Sequence, residues 1–361
     1  MKIFTKSFTD NKALINYCRT NNSEISEGMY FNFTDSKISI KNTITKYFIN
    51  FPFEFKLEGN EELPKNFLIN SEQFLGIISG ISEIEYKDDS FFFEKNIFKI
   101  RVNNTIVFPS NEIEDNYENS FKMTQKFISL LTKATTVFYA DKPEDKYKTA
   151  YFDKGYIYSL NNYRGYIVKA SDEEINIKLD FHTTLIDLIK CINDKDFTIF
   201  YDSNKSSRKI VTESGLTIYT PVNRCIIPDF GTKIFEFVNN DHKTLVNRDK
   251  VLSTLSTLKN LFDSKDLEKK VSLSVNEKEM IFELKDTVNP YIKLVMESVE
   301  NTEKCTKIID YENLVKVIKL IDGENIELKL SDEIPLLIVK TTLENIFEVS
   351  VLSIPRIVAK V

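Results

Sequence analysis

Residues 309 to 357, IDYENLVKVIKLIDGENIELKLSDEIPLLIVKTTLENIFEVSVLSIPRI, hold one complete structural unit, and the rest of the chain is read from it. Leu314, Val317, Ile318 and Ile321 fall at i, i+3, i+4 and i+7, the spacing of a helix that buries one face. On a wheel of about 100° per residue, Lys316 and Lys319 each stand roughly 150° from the centre of that stripe. The opposite face is therefore basic and turned to solvent. The turn Asp322-Gly323-Glu324 ends the helix, and three short runs follow: IELKLS, LLIVKT after Pro335, and FEVSVLSI. Each is rich in β-branched or aromatic residues, as short strands are. The unit is one helix on a small antiparallel sheet.

The same stripe recurs five times toward the N-terminus. Its copies are Val251, Leu255, Leu258, Phe262; Leu185, Leu188, Ile189, Ile192; Phe127, Leu130, Leu131, Ala134; Phe74, Ile77, Ile78, Ile81; and Leu14, Tyr17, Cys18. Their first residues are separated by 60, 53, 58, 66 and 63 positions, each interval holding one helix and several strand-like runs. One such stripe is found on any amphipathic helix, whereas six at near-even spacing indicate an internal repeat. Taken in pairs, the units divide the chain into domains 1–119, 120–244 and 245–361, with the acidic, Asn-rich segment Glu112 to Ser120 as a linker. The expected fold class is α+β: three similar domains, each made of two helix-plus-antiparallel-sheet units.

The chain has 361 residues, 42% hydrophobic and 28% charged, which suits well-filled cores and excludes disordered and collagen-like classes. No apolar run reaches about 18 residues, and MKIFTKSFTD lacks the apolar segment of a secretory signal, so a cytoplasmic protein without membrane contact is expected. Cys18, Cys191, Cys225 and Cys305 are scattered with no C-x-x-C pair, which supports neither a zinc site nor a disulfide framework. No metal and no cofactor are expected. His182 and His242 have no partners at triad spacing, and no phosphate-binding glycine loop occurs, so no enzyme is expected. The lack of Trp and the abundance of Asn, Lys, Ile and Phe fit an AT-rich genome such as a phage's.

A net charge of −6 argues at first against nucleic acid as a partner. Its distribution reverses that reading, because the six helical segments carry +4 together and the remainder −10. Lys12, Arg19, Lys190, Lys316 and Lys319 all lie opposite their apolar stripes. Cations placed so would meet phosphates without reading base sequence.

The order of YIYSLNNYRGYI at 156–167, CIIPDF at 225–230, LVNRDKVLSTL at 245–255, IDGENIELKLSDEIPLLIV at 321–339 and VLSIPRI at 351–357 resembles the bacterial DNA polymerase III β subunit, the processivity sliding clamp. The resemblance covers the whole chain and is strongest from Met123 onward. It implies three domains per chain, two chains closing head to tail into a ring with helices inside and sheets outside, and duplex DNA threaded through it. It also implies partners, a DNA polymerase and a clamp loader, that dock through short linear motifs. The DNA-contacting set would be Lys12, Arg19, Lys126, Lys133, Lys190, Lys259, Lys316 and Lys319 on the helices, with Lys142, Lys146, Tyr147 and Lys148 in a loop.

Carried over by position, the peptide pocket would be walled by Leu160, Asn162, Tyr163, Arg164, Gly165, Pro228, Val351, Ser353, Ile354, Pro355 and Arg356, an apolar groove with one guanidinium at its rim. Leu160-Asn161-Asn162 replaces the family's usual Thr-Asp-Gly, and the late proline stands one position nearer the arginine. The dimer contact is expected to pair Ile106 and Phe108 with Leu261 and Phe262. The competing reading is a β-rich structural or assembly protein of a virion, built from the same modules without DNA. A basic helical face, which such a protein does not need, separates the two.

Overall fold

Each of the six stripes forms a helix in a computed structural model of the chain, which describes residues 1–19, 24–59, 61–100, 102–105, 108, 116–137, 148–161, 163–171, 178–202, 204–222, 238, 243–260, 262, 269–276, 278–284, 292–297, 300–301, 305–330 and 336–353. The helices are α1 Lys6–Asp10, α2 Lys12–Cys18, α3 Glu24–Glu27, α4 Ser71–Ile77, α5 Gln125–Thr135, α6 Thr183–Lys190, α7 Arg248–Lys259 and α8 Tyr311–Leu320. The stripe residues Leu14, Phe74, Leu131, Leu185, Val251 and Leu314 are all buried.

Three of these helices start in the same way. Asn70, Asn247 and Asp310 each end a strand and cap the helix that follows, the side-chain oxygen accepting from the backbone N–H of Gln73, Lys250 and Asn313 at 3.0, 3.0 and 2.8 Å. Such a cap contributes about 1 kcal/mol and sets where the strand stops and the helix begins.

The chain forms two compact units, one of residues 1–128 with 184–224, the other of residues 129–183 with 225–361. Each holds two antiparallel sheets among its described residues. In the first unit, one sheet runs in the order Phe55–Lys56, Lys2–Phe4, Glu83–Lys87, Ser90–Phe93, Asn96–Phe98. The other runs Val102–Asn103, Phe67–Asn70, Gly28–Asn32, Lys37–Lys41, Phe48–Pro52, Thr217–Pro221, Ser207–Thr212, Phe197–Tyr201, Asn119–Met123. In the second unit, the larger sheet runs Lys178–His182, Thr149–Asp153, Tyr156–Leu160, Arg164–Lys169, Glu348–Ser353, Leu336–Thr341, Asn325–Leu330, Thr244–Asn247, Glu300–Asn301. The smaller runs Ile292–Glu297, Glu279–Leu284, Lys270–Val275, Cys305–Asp310.

Both large sheets are continuous across positions that the repeat assigns to different domains. Ile49 pairs with Ile218, and Gly165 with Val351. The threefold division is a reading of the repeat, and the two units cut across its middle third. Asn119 and Ser120, assigned to a linker, belong instead to the strand Asn119–Met123, which pairs with Phe197–Tyr201.

The first unit is filled by aromatic rings. Phe31 lies against Phe8, Phe53, Phe67 and Phe74 with centroids 4.9 to 5.5 Å apart, which suits edge-to-face and offset contacts. Phe108 belongs to a neighbouring cluster, stacked 5.0 Å from Tyr30 and packed on Phe48 and Leu68. It is already buried within the chain, so it has no apolar area left for a dimer contact, and that assignment is corrected. The helix side of the second unit is filled mainly by aliphatic residues, with Leu255, Leu258, Leu314, Val317 and Ile318 all buried.

Candidate nucleic-acid and peptide interfaces

The helices of the second unit set out their cations along a shared face. α7 and α8 run antiparallel: the Tyr311 hydroxyl at the start of α8 donates to the Leu255 carbonyl at 2.8 Å, and the Arg248 guanidinium at the start of α7 donates to the Lys319 carbonyl at 3.3 Å. A guanidinium on the last carbonyls of a helix also suits its dipole. Lys259 and Lys319 are exposed, Lys316 is half-buried, and none of the three makes an ion pair among the described residues. In the first unit Lys12 and Lys126 are exposed. Arg19 is held by Glu72 at 2.5 Å and Lys190 by Asp187 at 3.0 Å, so carboxylates already neutralise these two cations.

Lys133 departs further from expectation. Its ammonium lies against the buried carboxylate of Glu348 and reaches Asp322 at 2.7 Å. Glu348 also accepts from the Tyr166 hydroxyl and, at 3.0 Å, from the Asp322 backbone N–H. Every partner is thus engaged, as a buried charge requires. Lys133 therefore serves the fold and not an outward DNA-facing surface. Lys133 sits on the flank of its stripe, and no spacing in the sequence points to a carboxylate 215 positions away.

The peptide-site residues come from two adjacent strands. Arg164 pairs with Leu352 and Gly165 with Val351, and the Ser353 N–H donates to the Tyr163 carbonyl at 2.7 Å. Asn161 makes the bend before them: its side-chain oxygen accepts from the N–H groups of Tyr163 and Arg164 at 2.8 and 2.7 Å, and its amide donates to the Val137 carbonyl at 3.0 Å. An Asx turn of this kind reverses the chain without glycine. It leaves the Tyr163 side chain 52% exposed beside half-buried Leu160 and exposed Ser353. Arg164 begins the next strand and is only 3% exposed. The expected rim guanidinium is therefore not Arg164, since burial removes it from the surface.

Lys148 is half-buried. Ile106, Lys142, Lys146, Tyr147, Asn162, Pro228, Leu261, Ile354, Pro355 and Arg356 lie outside the described residues. Phe262 packs edge-on against Tyr311 at 5.1 Å.

The sequence matches no family model, and the search of curated proteins gives no match. Solved structures match the fold over nearly the whole chain. A DNA polymerase III β subunit from Thermotoga maritima matches with TM-score 0.73 and 14% identity, covering 98% of both chains. A DNA polymerase sliding clamp from Bacillus subtilis matches with TM-score 0.76 and 11% identity, again covering 98% of both. The chain has the sliding-clamp fold. A sliding clamp from Pseudomonas aeruginosa, bound to griselimycin, matches with TM-score 0.76 and 12% identity over 99% of both chains.

Two edges of the sliding-clamp fold stand out for their exposed apolar side chains. Asn96–Phe98 ends the smaller sheet of the first unit and carries Ile97, 59% exposed. Ile292–Glu297 ends the smaller sheet of the second and carries Val295, 51% exposed. Neither has a second strand neighbour among the described residues. Such edges invite pairing with another chain. The sequence reading missed both residues, although an apolar side chain at an outward position of a short strand is a signal it could have used.

Among the described residues no helix is long and apolar enough to cross a membrane, and no group of three or more His, Cys, Asp or Glu could hold a metal ion. Burial pushes the Cys18 thiol well above its ordinary value, which leaves it a packing residue without nucleophilic character.

Proposed function

We propose that the chain is a DNA sliding clamp, a protein without catalytic activity that closes around duplex DNA as a homodimer and tethers a DNA polymerase to its template. The observation that carries this reading is the match to sliding clamps over 98 to 99% of both chains. Helical cations at Lys12, Lys126, Lys259, Lys316 and Lys319, which make no ion pair among the described residues, support it, since phosphates met by lysine give attraction without base readout and so permit sliding. The three domains would be the repeat pairs 1–119, 120–244 and 245–361. Six repeat units per chain let two chains close a ring of twelve by head-to-tail contact. Its workplace is the cytoplasm where the DNA lies, a host's cytoplasm if a phage encodes it.

The homodimer contact would join the edge carrying Ile97 in one copy to the edge carrying Val295 in the other. Polymerase and loader would dock on the adjacent strands at Leu160 to Gly165 and Val351 to Ser353, through a peptide with a Gln and two bulky apolar side chains. The apolar groups would anchor and the polar edge set register. With Asn161 making the bend and Ser353 on the wall, the preferred motif should differ from the usual bacterial one. Fluorescence anisotropy with a labelled clamp-binding peptide tests the tethering. The intact chain should bind it and a chain truncated after Leu352 should bind at least tenfold more weakly. Equal binding by both would remove the C-terminal residues from the site.

A further inference from the structure

We infer that the grip on DNA is concentrated in one groove, between α7 and α8, and is not spread evenly over the helices; this rests on the sliding-clamp reading. The groove has a volume of about 390 Å³, with Leu252 and Val315 among its lining and Lys259, Lys269, Lys316 and Lys319 as its cations. From α7 the short, exposed Ser256 side chain also lines it. Among the described residues the one carboxylate on its lining, Glu312, lies 3.5 Å from Lys269. Lys259, Lys316 and Lys319 are left with charge to offer.

The first unit offers two exposed cations on separate helices, Lys12 on α2 and Lys126 on α5, and neutralises the others. There Lys6 is paired with Asp10, Arg19 with Glu72 and Lys190 with Asp187. A paired cation brings little net charge to a phosphate, although each exposed pair adds almost nothing to stability. The charged occupant that suits the groove is the phosphate backbone of a duplex. From Glu312 to Lys319 α8 rises by about 10 Å, the axial span of roughly three phosphates on one strand. Three lysines along that length, two of them at the ends, match such a spacing. A contact made by lysine to phosphate oxygens carries no sequence information.

The test compares two full-length triple variants with the parent chain, measuring affinity for a 30-base-pair duplex across 50 to 200 mM KCl. Lys259→Gln with Lys316→Gln and Lys319→Gln should flatten the salt slope by about 2.7, roughly 0.9 per lost phosphate contact. Between 50 and 200 mM that is an approximately 40-fold smaller loss of affinity. Lys12→Gln with Arg19→Gln and Lys126→Gln should change the slope by less than about 1. Lys316→Gln alone should flatten it by about 0.9, which keeps the test open if the triple variant folds poorly. Equal flattening by both triples would overturn the concentration of contacts in this groove while leaving DNA binding intact. A parent chain with no salt-dependent affinity would overturn the DNA reading itself.

Discussion

Glu348→Ala is expected to destabilise the fold by about 3–5 kcal/mol, because it leaves a half-buried ammonium, a buried hydroxyl and a backbone N–H without their shared acceptor. Glu348 is 3% exposed and takes hydrogen bonds from Lys133, Tyr166 and the Asp322 backbone. Its strand lies next to the one carrying Tyr166, while Lys133 comes from α5 and Asp322 follows α8. One carboxylate therefore ties four elements of the second unit together. The thermal midpoint should fall by on the order of 10 °C. Tyr166→Phe removes only one donor and should cost about 1–2 kcal/mol.

The two variants also differ in alkali. Burial first, and then the neighbouring Glu348 charge, push the Tyr166 phenol far above its ordinary 10.0. The folded chain keeps that proton where the unfolded chain releases it, so this stabilisation is complete below about pH 10 and declines as pH rises beyond it. Tyr166→Phe should remove that part of the alkaline decline. Urea titrations of parent and variants from pH 8 to 11 check both points. A Glu348→Ala chain within about 0.5 kcal/mol of the parent would contradict the network.

Val295→Lys or Ile97→Lys should convert a dimer into a monomer. Both side chains are more than half exposed in the single chain, so neither change should disturb the core. Each places a charge where two sheet edges would otherwise meet, a device that blocks edge pairing. Native mass spectrometry should find twice the chain mass for the parent and the chain mass for either variant, with thermal midpoints close to the parent's. A variant that stays dimeric would remove these edges from the contact.

The helices were legible because a 3.6-residue stripe repeats whatever the rest of the chain does. Leu314, Val317, Ile318 and Ile321, read from spacing alone, are all buried. Their caps were not read from the sequence, although Asn70, Asn247 and Asp310 each stand between a strand-like run and a stripe. What strands pair with was not legible. Alternation tells which face a residue takes, but nothing local joins Phe48–Pro52 to Thr217–Pro221 or Arg164–Lys169 to Glu348–Ser353. For the same reason Phe108 read as an interface residue, since the sequence shows an apolar side chain without showing Tyr30 stacked on it. Of the peptide-site residues, the strand pairing brings Gly165 opposite Val351, and Ser353 to within a hydrogen bond of Tyr163. The burial of Arg164 was not legible, because burial of a guanidinium depends on neighbours distant in the chain.

The most direct test of encirclement is topological. The protein is bound to a nicked circular plasmid, passed through a gel-filtration column in salt high enough to break simple phosphate contacts, and then measured again after one restriction cut. Retention on the circle, loss within minutes of linearisation, and recovered retention when bulky proteins block both ends are the expected results. Equal retention on circular and linear DNA, or none on either, would contradict a closed ring around the duplex.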